Sequence, residues 1–312
     1  MPESNRPRNR RTAGLLSVAI GIVATVALSG CHPGNKEAIA LRAECEAGSP
    51  AACNALGIRL LKGEHVLRDV ARGATLLRTA CEGGVAEGCM QLGVLYLGGR
   101  GVEKDSVRGR TLLTEGCSGG AMEGCTRLGV LYERGMGVPQ DVARAATLYE
   151  QACDGGHLTG CARLGLLYAG GEGVPRDPNR AATLFQRACD ARDATGCMGL
   201  GRLYVDGALT PPADSSASLL FRQACEGREP AGCHWLGRLH ESGRGATQDF
   251  GRAASLYRNA CEEDVGAACF DLANLYEKGA GVRRNPQEVT RFRRRACELG
   301  HAPACPVQKS SS

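Results

Sequence analysis

The chain has 312 residues, 44 glycines, 4% aromatic residues and a formal net charge of +5. A single hydrophobic core rarely extends over that length. So few aromatic residues argue against a β-rich fold and suit short, closely packed helices.

Residues 1–30 read as an export signal. Arg6, Arg8, Arg10 and Arg11 precede an apolar run over residues 13–28, which is short for a permanent membrane span. A transmembrane anchor is the alternative. The run ends in Leu28-Ser29-Gly30-Cys31, which resembles the bacterial lipobox and implies cleavage before Cys31 and acylation of its new N-terminus. Arg10-Arg11 hints at twin-arginine export, but Asn9, Ala13 and Gly14 fit that pattern poorly. Four arginines and one glutamate leave with the leader, so the net charge falls from +5 to +2. That small charge argues against nucleic acid as the main partner. His32 stands where an aspartate would retain some lipoproteins in the inner membrane, so the expected address is the outer membrane.

Residues 31–34 form a lipidated N-terminus and a short tether. Asn35 can then cap a helix that runs through Ala38, Leu41 and Ala43 to Cys45, an N-terminal half-unit. From there a phrase typified by residues 80–93 returns every 36 residues, the mark of a stacked-repeat solenoid. Its first helix carries Cys-x2-Leu-Gly-x2-Tyr, in which Leu92, Leu95 and Tyr96 form one helical stripe. Gly57, Gly93, Gly129, Gly165, Gly201 and Gly237 recur beside that leucine. A residue so poor in helix propensity is expected there only where another helix comes too close for a side chain. A Gly-x-Gly-Val connector follows, whose first glycine suits a left-handed C-cap. Asp69, Asp105, Asp141, Asp177 and Asp249 suit the N-cap of the second helix. Seven such hairpins are expected from about residue 50 to residue 298, within a solenoid over residues 35–306 and a frayed tail over 307–312. The fifth connector departs, with Gly207-Ala-Leu-Thr-Pro-Pro, and the last unit carries Leu272-Ala273 and Asn285-Pro286, which suggests a looser or capping repeat.

Seventeen cysteines is an odd number. Giving Cys31 to a lipid leaves eight pairs spaced eight apart: Cys45 and Cys53, Cys81 and Cys89, Cys117 and Cys125, Cys153 and Cys161, Cys189 and Cys197, Cys225 and Cys233, Cys261 and Cys269, Cys297 and Cys305. Stacked hairpins allow bridges at separations of eight or of 28. The longer spacing strands Cys45 and Cys305 and the shorter uses every cysteine, so counting favours the shorter. So many bridges are credible only outside a reducing cytosol. Zinc knuckles of the C-x2–4-C kind are absent, and neither a metal nor a cofactor is expected.

The phrase over residues 128–145, Leu-Gly-x2-Tyr-x2-Gly-x-Gly-Val-x2-Asp-x3-Ala, resembles the Sel1-like repeat, a relative of the tetratricopeptide repeat. With Cys-x7-Cys added, it is similar to the disulfide-bridged Helicobacter cysteine-rich proteins. The resemblance implies an all-α superhelical solenoid whose first helices line the concave side. Members of that group are often labelled β-lactamases or penicillin binders, which implies cell-wall fragments or β-lactams as alternative ligands. The S-x-x-K and K-T-G motifs of serine β-lactamases do not occur, nor do H-E-x-x-H and G-x-S-x-G. No catalytic residue is assigned.

The concave face is the better place for function. Positions two, five and nine past each second cysteine share one side of each first helix. They include Arg127, Arg134, Arg163, Arg202, Trp235 and Arg238, with Asp206, Asp271, Asn274 and Lys278 beside them. Arginines near the sole tryptophan resemble an interface anchor; the alternative is that Trp235 covers a neighbouring helix. The reading is a lipid-anchored extracytoplasmic scaffold for a protein or peptide, with a purely structural envelope protein as a further alternative. Arg291, Arg293, Arg294 and Arg295 are expected on an exposed capping face.

Overall fold

The computed structural model describes residues 33–209 and 214–305. Helix α1 (Pro33–Glu46) stands alone and seven hairpins follow it. They pair α2 (Pro50–Lys62) with α3 (Val70–Glu82), α4 (Ala86–Gly98) with α5 (Ser106–Ser118), and α6 (Met122–Arg134) with α7 (Val142–Asp154). Then come α8 (Leu158–Gly170) with α9 (Pro178–Asp190), α10 (Ala194–Val205) with α11 (Asp214–Glu226), α12 (Pro230–Ser242) with α13 (Phe250–Glu262), and α14 (Gly266–Lys278) with α15 (Pro286–Glu298). A 3-10 turn over Ala302–Ala304 closes the array, and no strand occurs among the described residues. The leader, Cys31, the 307–312 tail and most of the fifth connector's Thr-Pro-Pro stretch lie outside the described residues.

A helix of 13 residues is marginal alone, so its ends and neighbours must hold it. Asp69 accepts the backbone N–H of Arg72 at 2.9 Å. Asp105, Asp141, Asp177 and Asp249 do the same for Arg108, Arg144, Arg180 and Arg252. Asn285 takes that place before α15. Such a cap contributes about 0.5–2 kcal/mol. Every first helix except α10, which ends on Asp206, ends on a left-handed glycine, as at Gly99 with φ 64° and Gly171 with φ 76°. Asn35, the expected cap, falls inside α1 instead of before it. The helix opens at Pro33, whose fixed φ and missing N–H suit a first helical position, and this removes two residues from the expected tether.

The recurring glycines mark contact between the two helices of a hairpin. A methyl group on Gly93 would lie 2.8 Å from the carbonyl oxygen of Gly109, and one on Gly165 would lie 2.7 Å from the Phe185 ring. Leu92, Leu95 and Tyr96 are buried beside that contact. In the last hairpin Leu272, Ala273 and Leu275 are fully buried, so the unit is packed as tightly as the others rather than loosened.

Each internal disulfide ties the last turn of one second helix to the opening of the next first helix; the first starts from α1 and the last ends just after the closing 3-10 turn. All eight join cysteines eight apart, with Cα separations from 4.5 Å at Cys81–Cys89 to 4.8 Å at Cys297–Cys305. From α2 to α12, each first helix touches the next first helix, and no pair of second helices packs to that extent. The array therefore curves with its first helices inside. Helices α8 and α10 approach most closely, where Gly199 leaves room for the Phe185 ring.

Gly93→Ala should destabilise the array. The gain in helix propensity is about 1 kcal/mol, but the obstacle is backbone and cannot swing aside, so overpacking of roughly 1–3 kcal/mol should prevail. Thermal unfolding at neutral pH should show a lowered Tm; an unchanged or raised Tm would remove close helix contact as the reason for the glycine.

Candidate functional site

Trp235 lies on α12, the sixth of the seven first helices. Its ring stacks on Phe221 of α11, with centroids 5.8 Å apart and planes 18° from parallel. The guanidinium carbons of Arg202 and Arg238 lie 5.5 Å and 4.7 Å from the Trp235 centroid. A guanidinium within about 6 Å of an aromatic centroid is attracted by the ring quadrupole. Trp235 thus covers the neighbouring helix α11 and also lines a recess of the surface.

Cavities open on either side. One of about 410 Å³ lies between α8 and α10, with Phe185, Leu166 and Leu203 as apolar wall and Glu133, Arg163 and Arg202 among its polar groups. Its existence follows from Gly199, which occupies the slot where neighbouring first helices carry Arg163 and Trp235. The other, about 460 Å³, is lined by Trp235, Phe250, Arg238, Glu241 and Asp271. Four of the six groove candidates therefore converge on one stretch. Arg127 does not join them, because it turns along its own helix to Glu123. Arg134 lines neither cavity.

Sequence reasoning missed two buried phenol–carboxylate pairs that underlie these cavities. Tyr149 donates its hydroxyl to Glu133, which Arg163 also approaches at 3.4 Å. Tyr257 donates to Glu241 at 2.7 Å. The two pairs occupy identical repeat slots, so aligning the units against each other would have shown them. In the second pair the slot of Arg163 holds Asp271, whose carboxylate lies 2.8 Å from Nε2 of the buried His234. Burial first, and then the Glu133 carboxylate, push the Tyr149 phenol well above its usual range, against the opposing charge of Arg163. Burial and Glu241, with Asp271 adding, do the same for Tyr257.

Cys81, Cys89 and Glu115 bring three ligand-type atoms within 4.8 Å of one another. The two sulfurs are bonded to each other, so neither offers the thiolate a metal needs.

The raised phenols have a measurable consequence. Above pH of about 10 an unfolded chain ionises its tyrosines, while folded Tyr149 and Tyr257 keep their protons. The folded state then binds more protons, so stability falls as pH rises through that range. Alkaline absorbance titration should leave these two phenols protonated when the exposed ones have ionised. Tyr149→Phe with Tyr257→Phe should remove that late step; a late step that survives in the double variant would assign it elsewhere.

The Sel1 repeat family matches residues 50–85, 86–120, 123–157, 159–193, 194–227, 230–265 and 266–301. No curated protein matches the chain. Among solved structures, a Sel1 repeat protein from Oxalobacter formigenes is 20% identical with a TM-score of 0.67, over 86% of this chain and 78% of that one. A protective antigen present in uropathogenic Escherichia coli strains is 24% identical with a TM-score of 0.61, over 86% of this chain and 66% of that one. Cysteine rich protein B of Helicobacter pylori is 27% identical over 43% of this chain and 97% of its own, with a TM-score of 0.35. The first two likenesses concern the fold alone, but the seven consecutive matches cover nearly all of the described array, and the chain belongs to the Sel1 repeat family.

Proposed function

We propose that this protein is a lipid-anchored extracytoplasmic scaffold that holds a protein or peptide segment in its concave groove. The observation that carries the reading is the Arg202–Trp235–Arg238 stack with a cavity on each side. An aromatic anchor between guanidiniums, flanked by apolar recesses, is the composition of a binding hot spot. The recess over Phe185 suits an apolar side chain, and Arg163 and Arg202 at its rim suit a backbone carbonyl or a carboxylate. A rigid solenoid presents such a surface with little ordering left to do on binding.

Three features support the address. Eight disulfides fit a compartment outside the cytosol. No helix among the described residues is long and apolar enough to cross a membrane. The leader pattern before Cys31 supplies the anchor in this reading.

Crosslinking in intact cells, with the full exported chain, tests the groove. Trp235→Ala, and separately the triple reversal of Arg163, Arg202 and Arg238 to Glu, should each lower recovery of the dominant crosslinked partner by about tenfold or more, the equivalent of about 1.4 kcal/mol. Identical partner recovery from all three proteins, at equal abundance, would refute groove docking.

A further inference from the structure

The 36-residue period lets each surface position be compared with its counterparts, and the N-terminal end is the exception. Ile39 on α1 is 60% exposed. In its slot Thr75, Thr111, Thr147, Thr183 and Ser255 return their hydroxyls to the carbonyl four residues back. Leu219 alone shares its apolar character there, and Arg291 ends the series. Leu67, in the first connector, is 92% exposed. Its counterparts are Glu103, Pro139, Pro175, Pro211, Thr247 and Arg283. Ile39 and Leu67 line one cleft of about 450 Å³ with Leu56, Leu60 and Val66. Two large apolar side chains are thus presented together to solvent where the internal repeats, Leu219 excepted, carry polar residues or proline.

Cations surround these two side chains. Lys36, Arg42, Arg68 and Arg72 are exposed, and none has a carboxylate within ion-pair distance among the described residues. The acids nearby are engaged: Glu37 holds Arg59 at 2.6 Å, Glu64 meets Lys62 at 3.4 Å, and Asp69 caps α3. Glu44 and Glu46 belong to the opposite end of α1. On the last helix Arg291, Arg293, Arg294 and Arg295 each meet an acid, namely Glu288, Glu277, Glu298 and Asp264, although Arg283 and Arg284 in the connector before it form no ion pair among the described residues. Around Ile39 and Leu67 the four unpaired cations leave basic charge available.

The available end is also where the remaining chain is attached. Residues 1–32 continue from Pro33, and Ile39 lies only about 9 Å of helix rise from that residue. Exposed apolar side chains ringed by unpaired cations are the composition of a contact with anionic lipid.

We propose that the N-terminal end of the solenoid docks directly on an anionic lipid surface, with Ile39 and Leu67 entering the headgroup layer and Lys36, Arg42, Arg68 and Arg72 facing the headgroups. This rests on the lipid-anchor reading for bringing the end to a membrane, but the contact is separate from the anchor. It fixes the array end-on and leaves the groove between α8 and α14 directed away from the bilayer.

The full exported chain is reconstituted on phosphatidylglycerol vesicles and on phosphatidylcholine vesicles, and hydrogen exchange is followed by mass spectrometry. Fragments covering residues 36–42 and 64–72 should exchange about tenfold or more slowly on phosphatidylglycerol than on phosphatidylcholine. Ile39→Asp with Leu67→Asp, both at exposed positions, should abolish the difference, while exchange in α6–α14 stays as in the parent. The mass of the N-terminal peptide reports acylation of Cys31 independently. Protection without an acyl group upholds the docking face and removes the anchor; an acyl group with equal exchange on both vesicles overturns the face and keeps the anchor. Protection that appears only when envelope protein is added assigns the face to a protein and also overturns it.

Discussion

Everything in this molecule depends on helices approaching closer than ordinary side chains allow. Within a hairpin the closeness comes from glycine, as where the backbone of Gly93 meets that of Gly109. Between hairpins it is fixed covalently, by bridges that hold Cα atoms under 5 Å apart. A disulfide closing a loop of about nine residues contributes roughly 2–3 kcal/mol in the chain-entropy account. Its position matters as much as its strength. Each bridge falls at the joint between units, where a repeat array is held only by nearest-neighbour packing. The joints are thereby made the stiffest places in the rod, and curvature set by contact between first helices passes unchanged from one unit to the next.

That regularity explains what could be read from residues alone. A period, a cap at Asp105 or Asp141 and a left-handed glycine at Gly99 are local features, and local features are written in adjacent residues. The cysteine pairing was legible for a different reason, since only one spacing used every sulfur. Side-chain partnerships were less legible. Arg127 and Arg163 occupy the same slot, yet one turns to Glu123 on its own helix and the other crosses to Glu133 on the neighbouring one. The difference lies in which acid is within reach in space, which spacing along one helix cannot tell. The Tyr149–Glu133 and Tyr257–Glu241 pairs escaped for the same reason, because each joins the two helices of a hairpin. Asn35 escaped because two good starters competed and Pro33 lies earlier.

The buried pairs also show how one scaffold carries different electrostatics at different places. In repeats three and four, tyrosine, glutamate and arginine form a group whose charges balance. In repeats six and seven the arginine slot holds Asp271, which is hydrogen-bonded to His234 from the preceding first helix. Both arrangements satisfy the buried hydroxyl, which is what packing requires. They leave different rims facing the groove: guanidinium beside the cavity over Phe185, carboxylate beside the cavity under Trp235.

It follows that structure and function occupy different positions of the same repeat. The positions that recur are the ones where helices touch: Leu92 and its counterparts, the glycine beside it (replaced only by Ala273), and the bridged cysteines. The slot two past each second cysteine changes from unit to unit, and it runs Ala55, Gln91, Arg127, Arg163, Gly199, Trp235 and Asp271 along the groove. Removing a side chain at Gly199 opens a recess; placing the largest one at Trp235 raises a wall beside it. A solenoid built this way can alter what it holds one unit at a time without disturbing the joints. The specificity of this protein is therefore to be sought where its repeats disagree with one another.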